Sequence, residues 1–435
     1  ILLVGVGFGQ DVPSYEMDWH LQLGDSSGSY GAKIIECNNG DYVVVGRNQD
    51  ESHQTDISFY RIDQNGNVLI SKIFGEEWND NAYDIIETSD NGFLLVGRMG
   101  IVDALSHQAY IAKLDSQGEV VWDYKHVTVN NSSWVHRGVF EEEDGFVISV
   151  RLFDQLQLIK FDFDGNVIQI QNISTLSGSH AGRELIKTSD GNYVLLAVYD
   201  GGSALIKFDS SFNELWRNLF SEPDFMAWAL IELNQGFQIV GSTSGASTIG
   251  SFIITDSNGN FLSQGGISVD GEGRYTDVEI GNGDLKYVSG YTFTNVGDNY
   301  LPWILVHNSD DSILDLIEPY ENVESEYELH GRLNSFIIDS NENIVFTGDT
   351  FGNSFDGRTT VTMLKKHPCF DSNQAIGDLN NDGHLDINDL KVFEIKLYDQ
   401  NFENECFNLI ADINQDSMIN IIDWIALLNL IQEYE

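Results

Sequence analysis

Tyr83-Asp-Ile-Ile-Glu87, Ser89-Asp-Asn-Gly92, Phe93-Leu-Leu-Val-Gly97, Ala109-Tyr-Ile-Ala-Lys-Leu114, Asp115-Ser-Gln-Gly118 and Glu119-Val-Val-Trp122 follow one another along the chain. The four apolar runs are short, rich in β-branched and aromatic residues, and bounded by turn residues, which is the pattern of strands. The two glycine-ended tetrapeptides read as tight turns in which glycine supplies a positive φ. Residues 83–122 therefore predict one four-stranded antiparallel unit.

The same unit recurs through residues 16–368 with a spacing near 50 residues, the range of repeat architectures. The Asp-x-x-Gly turn returns at Asp63–Gly66, Asp162–Gly165 and Asp256–Gly259, and in degenerate form at Asp209. A glycine closes the second strand at Gly46, Gly97, Gly241, Gly290 and Gly348, with Val150 and Ala197 in the other two units, which makes seven. The seventh unit stops after its third strand, Val361-Thr-Met-Leu-Lys-Lys366, and the chain opens on an orphan fourth strand, Asp18-Trp19-His-Leu-Gln-Leu-Gly24. Trp19 aligns with Trp122 and Trp216. An N-terminal strand that completes the last unit removes exposed edges. The expectation is an all-β body, a seven-bladed β-propeller closed by its N-terminal strand. A β-solenoid is the alternative, and it leaves the matched half-units unexplained.

With Lys113-Leu-Asp115 and Lys160-Phe-Asp162 as its signature, the body resembles secreted bacterial seven-bladed propeller repeats, a resemblance that implies fold and not activity. A second pattern stands at the C-terminus. Asp378, Asn380, Asp382, His384, Asp386 and Asp389 occupy positions 1, 3, 5, 7, 9 and 12 of a calcium-loop template, and Asp412, Asn414, Asp416, Met418, Asn420 and Asp423 repeat it 34 residues on. Ca²⁺ takes oxygens at this stagger, and position 7 needs only a backbone carbonyl. Gly383 suits the sharp turn at position 6, and Ser417 suits it less well. Apolar stripes follow each loop at helical spacing, Leu390, Phe393, Leu397 and Trp424, Leu427, Leu428, Ile431. The pair resembles a type I dockerin, with Asp at position 12. That resemblance implies two Ca²⁺ sites in a small α-helical module over residues 369–435 and a cohesin-like partner. Positions 10 and 11 are Ile387-Asn388 and Ile421-Ile422, which depart from the Ser/Thr pair of the best-known cellulosomal type. Cys369 and Cys406 bracket the first loop, so a disulfide between them would staple the module in an oxidising compartment. Cys37 stands alone on an apolar strand pattern and reads as a small buried hydrophobe.

The formal charge is −46, from 68 acids and 22 bases. That balance argues against nucleic acid and anionic membranes as partners, since both need clustered cations. Residues 1–15 read as the remnant of a secretion signal, or as an apolar tail able to pair with a neighbouring copy. The tail is too short to span a bilayer, and the expected location is secreted, extracellular or at the cell surface.

In a four-stranded unit the fourth-to-first and second-to-third loops share one face. Arg137, Arg183, Arg274 and Arg332 lie at the start of first strands, and Arg47, Arg98 and Arg151 follow second strands. Seven of the ten arginines thus map to one face of an acidic chain, joined by Tyr83, Trp134, Trp228, Tyr275, His136, His180 and His330. We take Arg137, Arg183, Trp228, Arg274, His330 and Arg332 as the candidate ligand face. Cations beside aromatic rings suit an anionic carbohydrate or a carboxylate-bearing peptide, whereas pairing of each arginine with a loop carboxylate is the structural alternative. The aligned first-strand positions Ala32, Tyr83, His136, Arg183, Ala227, Thr276 and Asn334 are heterogeneous, so no symmetric metal site is expected. Gly24-Asp-Ser-Ser-Gly28 matches a nucleophile-elbow spelling but lacks the helix that motif needs. No catalytic residue is assigned. The sequence points to a secreted binding or assembly protein attached through its C-terminal module to a cohesin-like or surface protein or to other copies of itself. A dockerin-borne carbohydrate-active lyase or hydrolase and a homopolymeric filament subunit are the rival readings.

Overall fold

The computed structural model describes residues 15–24, 28–50, 54–76, 79–100, 107–126, 133–152, 155–173, 181–199, 202–220, 225–243, 249–267, 272–282, 285–294, 299–307, 313–319, 330–351, 357–366, 379, 387–399, 411 and 419–434. The chain divides into two compact units, one of Met17–Leu364 and one drawn from both chain ends.

Twenty-eight strands build the larger unit. The first group is β2 (Tyr30–Glu36), β3 (Tyr42–Gln49), β4 (Thr55–Ile62) and β5 (Val68–Phe74); the second is β6 (Asn81–Glu87), β7 (Phe93–Gly100), β8 (His107–Leu114) and β9 (Val120–His126). The third is β10 (Trp134–Glu142), β11 (Gly145–Leu152), β12 (Gln155–Phe161) and β13 (Val167–Ile173); the fourth is β14 (Ala181–Lys187), β15 (Tyr193–Tyr199), β16 (Gly202–Phe208) and β17 (Glu214–Phe220). The fifth is β18 (Phe225–Leu233), β19 (Gly236–Thr243), β20 (Ile249–Asp256) and β21 (Phe261–Ile267); the sixth is β22 (Glu272–Ile280), β23 (Lys286–Thr294), β24 (Asn299–His307) and β25 (Ile313–Ile317). The last is β26 (His330–Ile338), β27 (Ile344–Phe351) and β28 (Arg358–Lys366), with β1 (Tyr15–Leu23) at the edge beside β28.

The expected closed seven-bladed propeller is corrected by the sheet order. There are six sheets, five of four strands and one of eight, in the order β13-β12-β11-β10-β14-β15-β16-β17. The join is a parallel bridge between Arg137 and Glu184, so the third and fourth groups share one hydrogen-bonded sheet. Neighbouring first strands also touch: β2 lies against β6, β6 against β10, β14 against β18, β18 against β22, β22 against β26, and β26 against β2.

Apolar burial explains why the strands stand as they do. Second strands are buried on both faces, as in Tyr42-Val-Val-Val-Gly46 and Phe93-Leu-Leu-Val-Gly97, the near-continuous run of a strand covered on both sides. Fourth strands alternate and leave Leu69, Val121 and Leu262 exposed. The cores lie between successive groups: Val43, Val45 and Phe59 pack on Ile85, Phe93 and Leu95, and Val345, Val361 and Met363 pack with Ile34, Tyr42 and Trp19.

Two recurring polar devices tie several groups to their neighbours. A glutamate at the end of a first strand accepts from the turn of the group before it. Glu141 takes the Ser89 N–H at 2.7 Å and its hydroxyl at 2.6 Å, and Glu232 takes the Ser189 N–H at 2.7 Å. Glu87 takes the Asn38 N–H at 2.7 Å, and Glu36 takes the Ser340 N–H at 2.8 Å. The second device is the fourth-strand tryptophan. Trp19 Nε1 donates to Gln64 O at 3.1 Å and Trp122 Nε1 to Phe163 O at 2.9 Å. Each indole lies over the turn glycine of the following group, Gly66 and Gly165, where a Cβ would lie 3.0 Å and 2.7 Å from the ring. In the degenerate turns Phe212 and Glu342 take the positive φ, at 66° and 65°.

In the C-terminal segment the described helices are α1 (Ile387–Asp399) and α2 (Ile421–Tyr434). Leu390, Phe393, Ala411, Leu427 and Ile431 form their small core. The dockerin-type calcium module with its disulfide is corrected here as well. Among the described residues no group of three or more His, Cys, Asp or Glu side chains could hold a metal. Asp378, Asn380, Asp382, His384, Asp386, Asp412, Asn414, Asp416 and Met418 lie outside the described residues, as do Cys369 and Cys406 and residues 1–14. The described position-12 carboxylates serve the backbone. Asp389, fully buried, accepts the Leu379 N–H at 2.9 Å. Asp423 accepts the Asn420 N–H at 2.9 Å while Asn420 Oδ1 accepts the Ile422 N–H at 2.8 Å, a reciprocal cap on α2. Cys37, the cysteine among the described residues, is free and buried. No described helix is long and apolar enough to cross a membrane.

The recurring second-strand glycine has a steric cause that can be tested. A Cβ at Gly97 would lie 2.1 Å from Asn81 O, and at Gly348 1.8 Å from Arg332 O. Gly97→Ala is expected to lower stability by about 2 kcal/mol or more. Ala197→Gly, in the same slot, costs only about 1 kcal/mol through chain entropy. Urea unfolding midpoints compare the two, and equal losses would contradict the steric account.

Candidate functional site

Every group's first strand breaks register at the same place. The breaks fall between Gly31 and Lys33, Ala82 and Asp84, Val135 and Val139, Gly182 and Glu184, Ala227 and Ala229, Tyr275 and Asp277, and Leu333 and Ser335. Each is a β-bulge, which inserts an extra residue and re-aims side chains around it. The extra residues are Ala32, Tyr83, Arg183, Trp228, Thr276 and Asn334, while in the third group residues 136–138 face one residue, Ser149, a net insertion of two. These are the aligned first-strand positions of the sequence, with one shift: in the fifth group the inserted residue is Trp228 and not Ala227.

Charged side chains gather around the bulges. Arg137 Nη1 donates to Asp277 Oδ1 at 2.9 Å, joining β10 to β22, and the two side chains are 17% and 3% exposed. Its Nη2 donates to Asn334 O on β26. Asn334 Nδ2 in turn donates to Gly31 O on β2 at 2.9 Å. Asp84 Oδ2 accepts the Gly138 N–H at 2.7 Å, and Glu184 Oε2 accepts the Leu230 N–H at 2.6 Å. Each carboxylate thus bonds the backbone of the next group's first strand.

Burial disfavours the charge on Lys33 and Arg137, but Asp277 foremost, with Asp84 and, for Arg137, Glu184, outweighs it and holds both cations above their ordinary values. Burial pushes the Glu184 carboxyl up to about 8 against the pull of Arg137, and Glu279 up to about 7 against Lys33. Four carboxyls share two cations here, so protonation relieves the excess.

The arginines divide by what they touch. Arg137 reaches inward to Asp277, and Arg332 Nη2 pairs with Asp349 Oδ2 at 2.7 Å, so both guanidiniums are held by protein carboxylates. Arg47 donates to Gly28 O at 2.8 Å and stacks 4.5 Å from the centre of Tyr30. Arg98 lies 5.8 Å from Tyr83, and Arg332 5.3 Å from Tyr300, which meets Tyr291 edge-on at 5.2 Å. Arg274 is exposed and hydrogen-bonds Tyr291. The His330, His136 and Trp134 side chains, and His180, lie outside the described residues.

Arg183 differs from all of these. Its guanidinium stacks 4.4 Å over the Trp228 indole. Its Nε and the Trp228 Nε1 are both buried and meet no acceptor among the described residues. Burial, and then the like charge of Arg151, bring Arg183 down to about 10. A buried donor left unpaired costs about 1–3 kcal/mol, and a cation–π contact returns about 0.5–2 kcal/mol.

No family model and no curated protein matches the chain. Among solved structures, BBS1N in complex with ARL6DN, soaked with mercury, is similar over 82% of this chain and 98% of that one, with a TM-score of 0.51 and 10% identity. The same complex soaked with lead gives 0.50 and 7% over the same shares. A protein of unknown function from Bacteroides caccae covers 60% of this chain and 89% of its own at a TM-score of 0.41 and 9% identity. The BBS1N likeness is one of fold.

The raised Glu184 carboxyl gives a signed pH dependence. Its ordinary value is 4.5 and its folded value about 8. The unfolded chain therefore loses this proton first. Its contribution to stability is fully present below about pH 4.5 and is lost as pH rises through about 8. Glu184→Gln, neutral throughout, is expected to gain about 3–4 kcal/mol on the wild type between about pH 5 and pH 8. Urea unfolding at both values measures it, and a constant difference would contradict the assignment.

Proposed function

We propose that this chain is an interaction protein. Its multi-sheet body presents the arginine–aromatic surface to an anionic partner, and binding, not bond chemistry, is its activity. The observation that carries this reading is the set of four guanidiniums stacked on aromatic rings, Arg47 on Tyr30, Arg98 on Tyr83, Arg183 on Trp228 and Arg332 on Tyr300. A guanidinium taken out of water against a ring loses hydration, and that loss is offset when an anion or a protein carboxylate meets its edge. Stacked guanidiniums keep their edge N–H groups available for planar carboxylates or sulfates. The perturbed carboxyl Glu184 is spent on the Leu230 N–H and supports its neighbours' backbone, which favours binding over general-acid catalysis. An acidic polysaccharide outside the cell is the partner class that fits this chemistry.

Affinity electrophoresis through gels holding polygalacturonate or neutral dextran tests the reading. Retardation by polygalacturonate alone is expected. It should weaken steeply with salt and fall in the Arg47→Ala, Arg98→Ala double variant. Equal mobility in both gels would overturn the reading.

A further inference from the structure

The Arg183–Trp228 pair carries a sharper inference, which rests on the reading of this surface as an anion-binding one. Arg183 is the inserted residue of the β14 bulge, and Trp228 is the inserted residue of the β18 bulge. Two neighbouring first strands therefore each break their own ladder to place one side chain, and the two side chains stack at 4.4 Å. Other arginines of this face answer to a protein acceptor: Arg137 to Asp277, Arg332 to Asp349, Arg47 to Gly28 O. Arg183 does not, among the described residues. Its Nε–H and the Trp228 Nε1–H are buried donors with no acceptor there. The charge that acts on Arg183 is another cation, Arg151. A guanidinium stacked on an indole, each with a buried donor that meets no acceptor among the described residues, is a set of donors that lacks an oxyanion.

We propose that Arg183 and Trp228 form an oxyanion subsite that takes one carboxylate or sulfate group of the bound partner. The guanidinium supplies charge and a planar fork, and the indole N–H supplies one further donor. Arg151 raises the local positive potential without being required as a direct donor. Trp228 shares its ring with Arg183 and so cannot stack a sugar on that face, and the subsite reads charge and not ring shape.

Indole ¹⁵N–¹H correlation spectra of the full chain test this at one atom. The chain has eight tryptophans, and Trp228→Phe assigns the signal that disappears. Sodium sulfate and digalacturonate are titrated separately at constant ionic strength, with sodium chloride and a neutral disaccharide as controls. A saturating shift of the Trp228 signal is expected with at least one of the two anions, and which one responds separates sulfate from carboxylate. Arg183→Gln is expected to weaken that response about tenfold or more. Arg183→Lys should restore part of it, because charge returns without the fork. Unchanged positions of the other indole signals report that each variant is folded. A Trp228 signal that does not saturate, or one that responds equally in Arg183→Gln, overturns the subsite. Retardation by polygalacturonate with a silent Trp228 signal would sink the subsite and keep the broader reading. A saturating Trp228 signal without retardation would do the reverse.

Discussion

A bulge in each first strand governs the rest of this body. A bulge pushes the carbonyl just before it toward the second strand, and that crowding leaves no space for a Cβ in five of the seven groups, at Gly46, Gly97, Gly241, Gly290 and Gly348. The same distortion turns the next side chain toward the neighbouring group. Asp84 and Glu184 use that turn to bond backbone N–H groups on the adjoining first strand. Where three residues, 136–138, face one, Arg137 reaches across to Asp277 and Asn334. Packing of the outer strands then needs only apolar fill and the tryptophan and glutamate links between groups.

The charges at the bulges are not obvious stabilisers. Burying an ion pair costs desolvation that its attraction only partly offsets, while losing one partner leaves a stranded charge. The Arg137–Asp277 contact joins groups 140 residues apart, so its value lies in fixing which strands meet. The surplus of carboxyls around it is tolerated because Glu184 and Glu279 hold protons readily. Toward the Arg183 side the imbalance has the opposite sign, since the charge that acts on Arg183 is a second guanidinium, Arg151. A strongly acidic chain that keeps such a spot has placed its scarce cations selectively.

Much of the strand pattern was legible because period, turn chemistry and glycine slots are local signals. The Asp-x-x-Gly turns and the apolar second strands needed only neighbours in sequence. The eight-stranded sheet was not legible: it hangs on a backbone bridge between Arg137 and Glu184, which no side-chain pattern encodes. The ion-pair partners of Arg137 and Arg332 were not legible either, because Asp277 lies far along the chain and nothing local marks Asp349. In the fifth group the aligned position was Ala227 and the inserted residue is Trp228, since alignment of short apolar strands cannot locate a bulge to the residue. At the C-terminus, Asp389 and Asp423 fit a calcium template at position 12, but each also accepts a backbone N–H, Asp389 from Leu379 and Asp423 from Asn420 at the head of α2, and sequence spacing does not separate the two uses.

The most direct test of the organising role of the bulges is a double-mutant cycle between Arg137→Met and Asp277→Leu, read by urea unfolding. The account predicts that each single change costs about 3–5 kcal/mol and that the double change costs much less than their sum, because neither leaves the other charge stranded. Additive losses would mean that the two side chains do not meet across the body, and the bulge-centred account would fail.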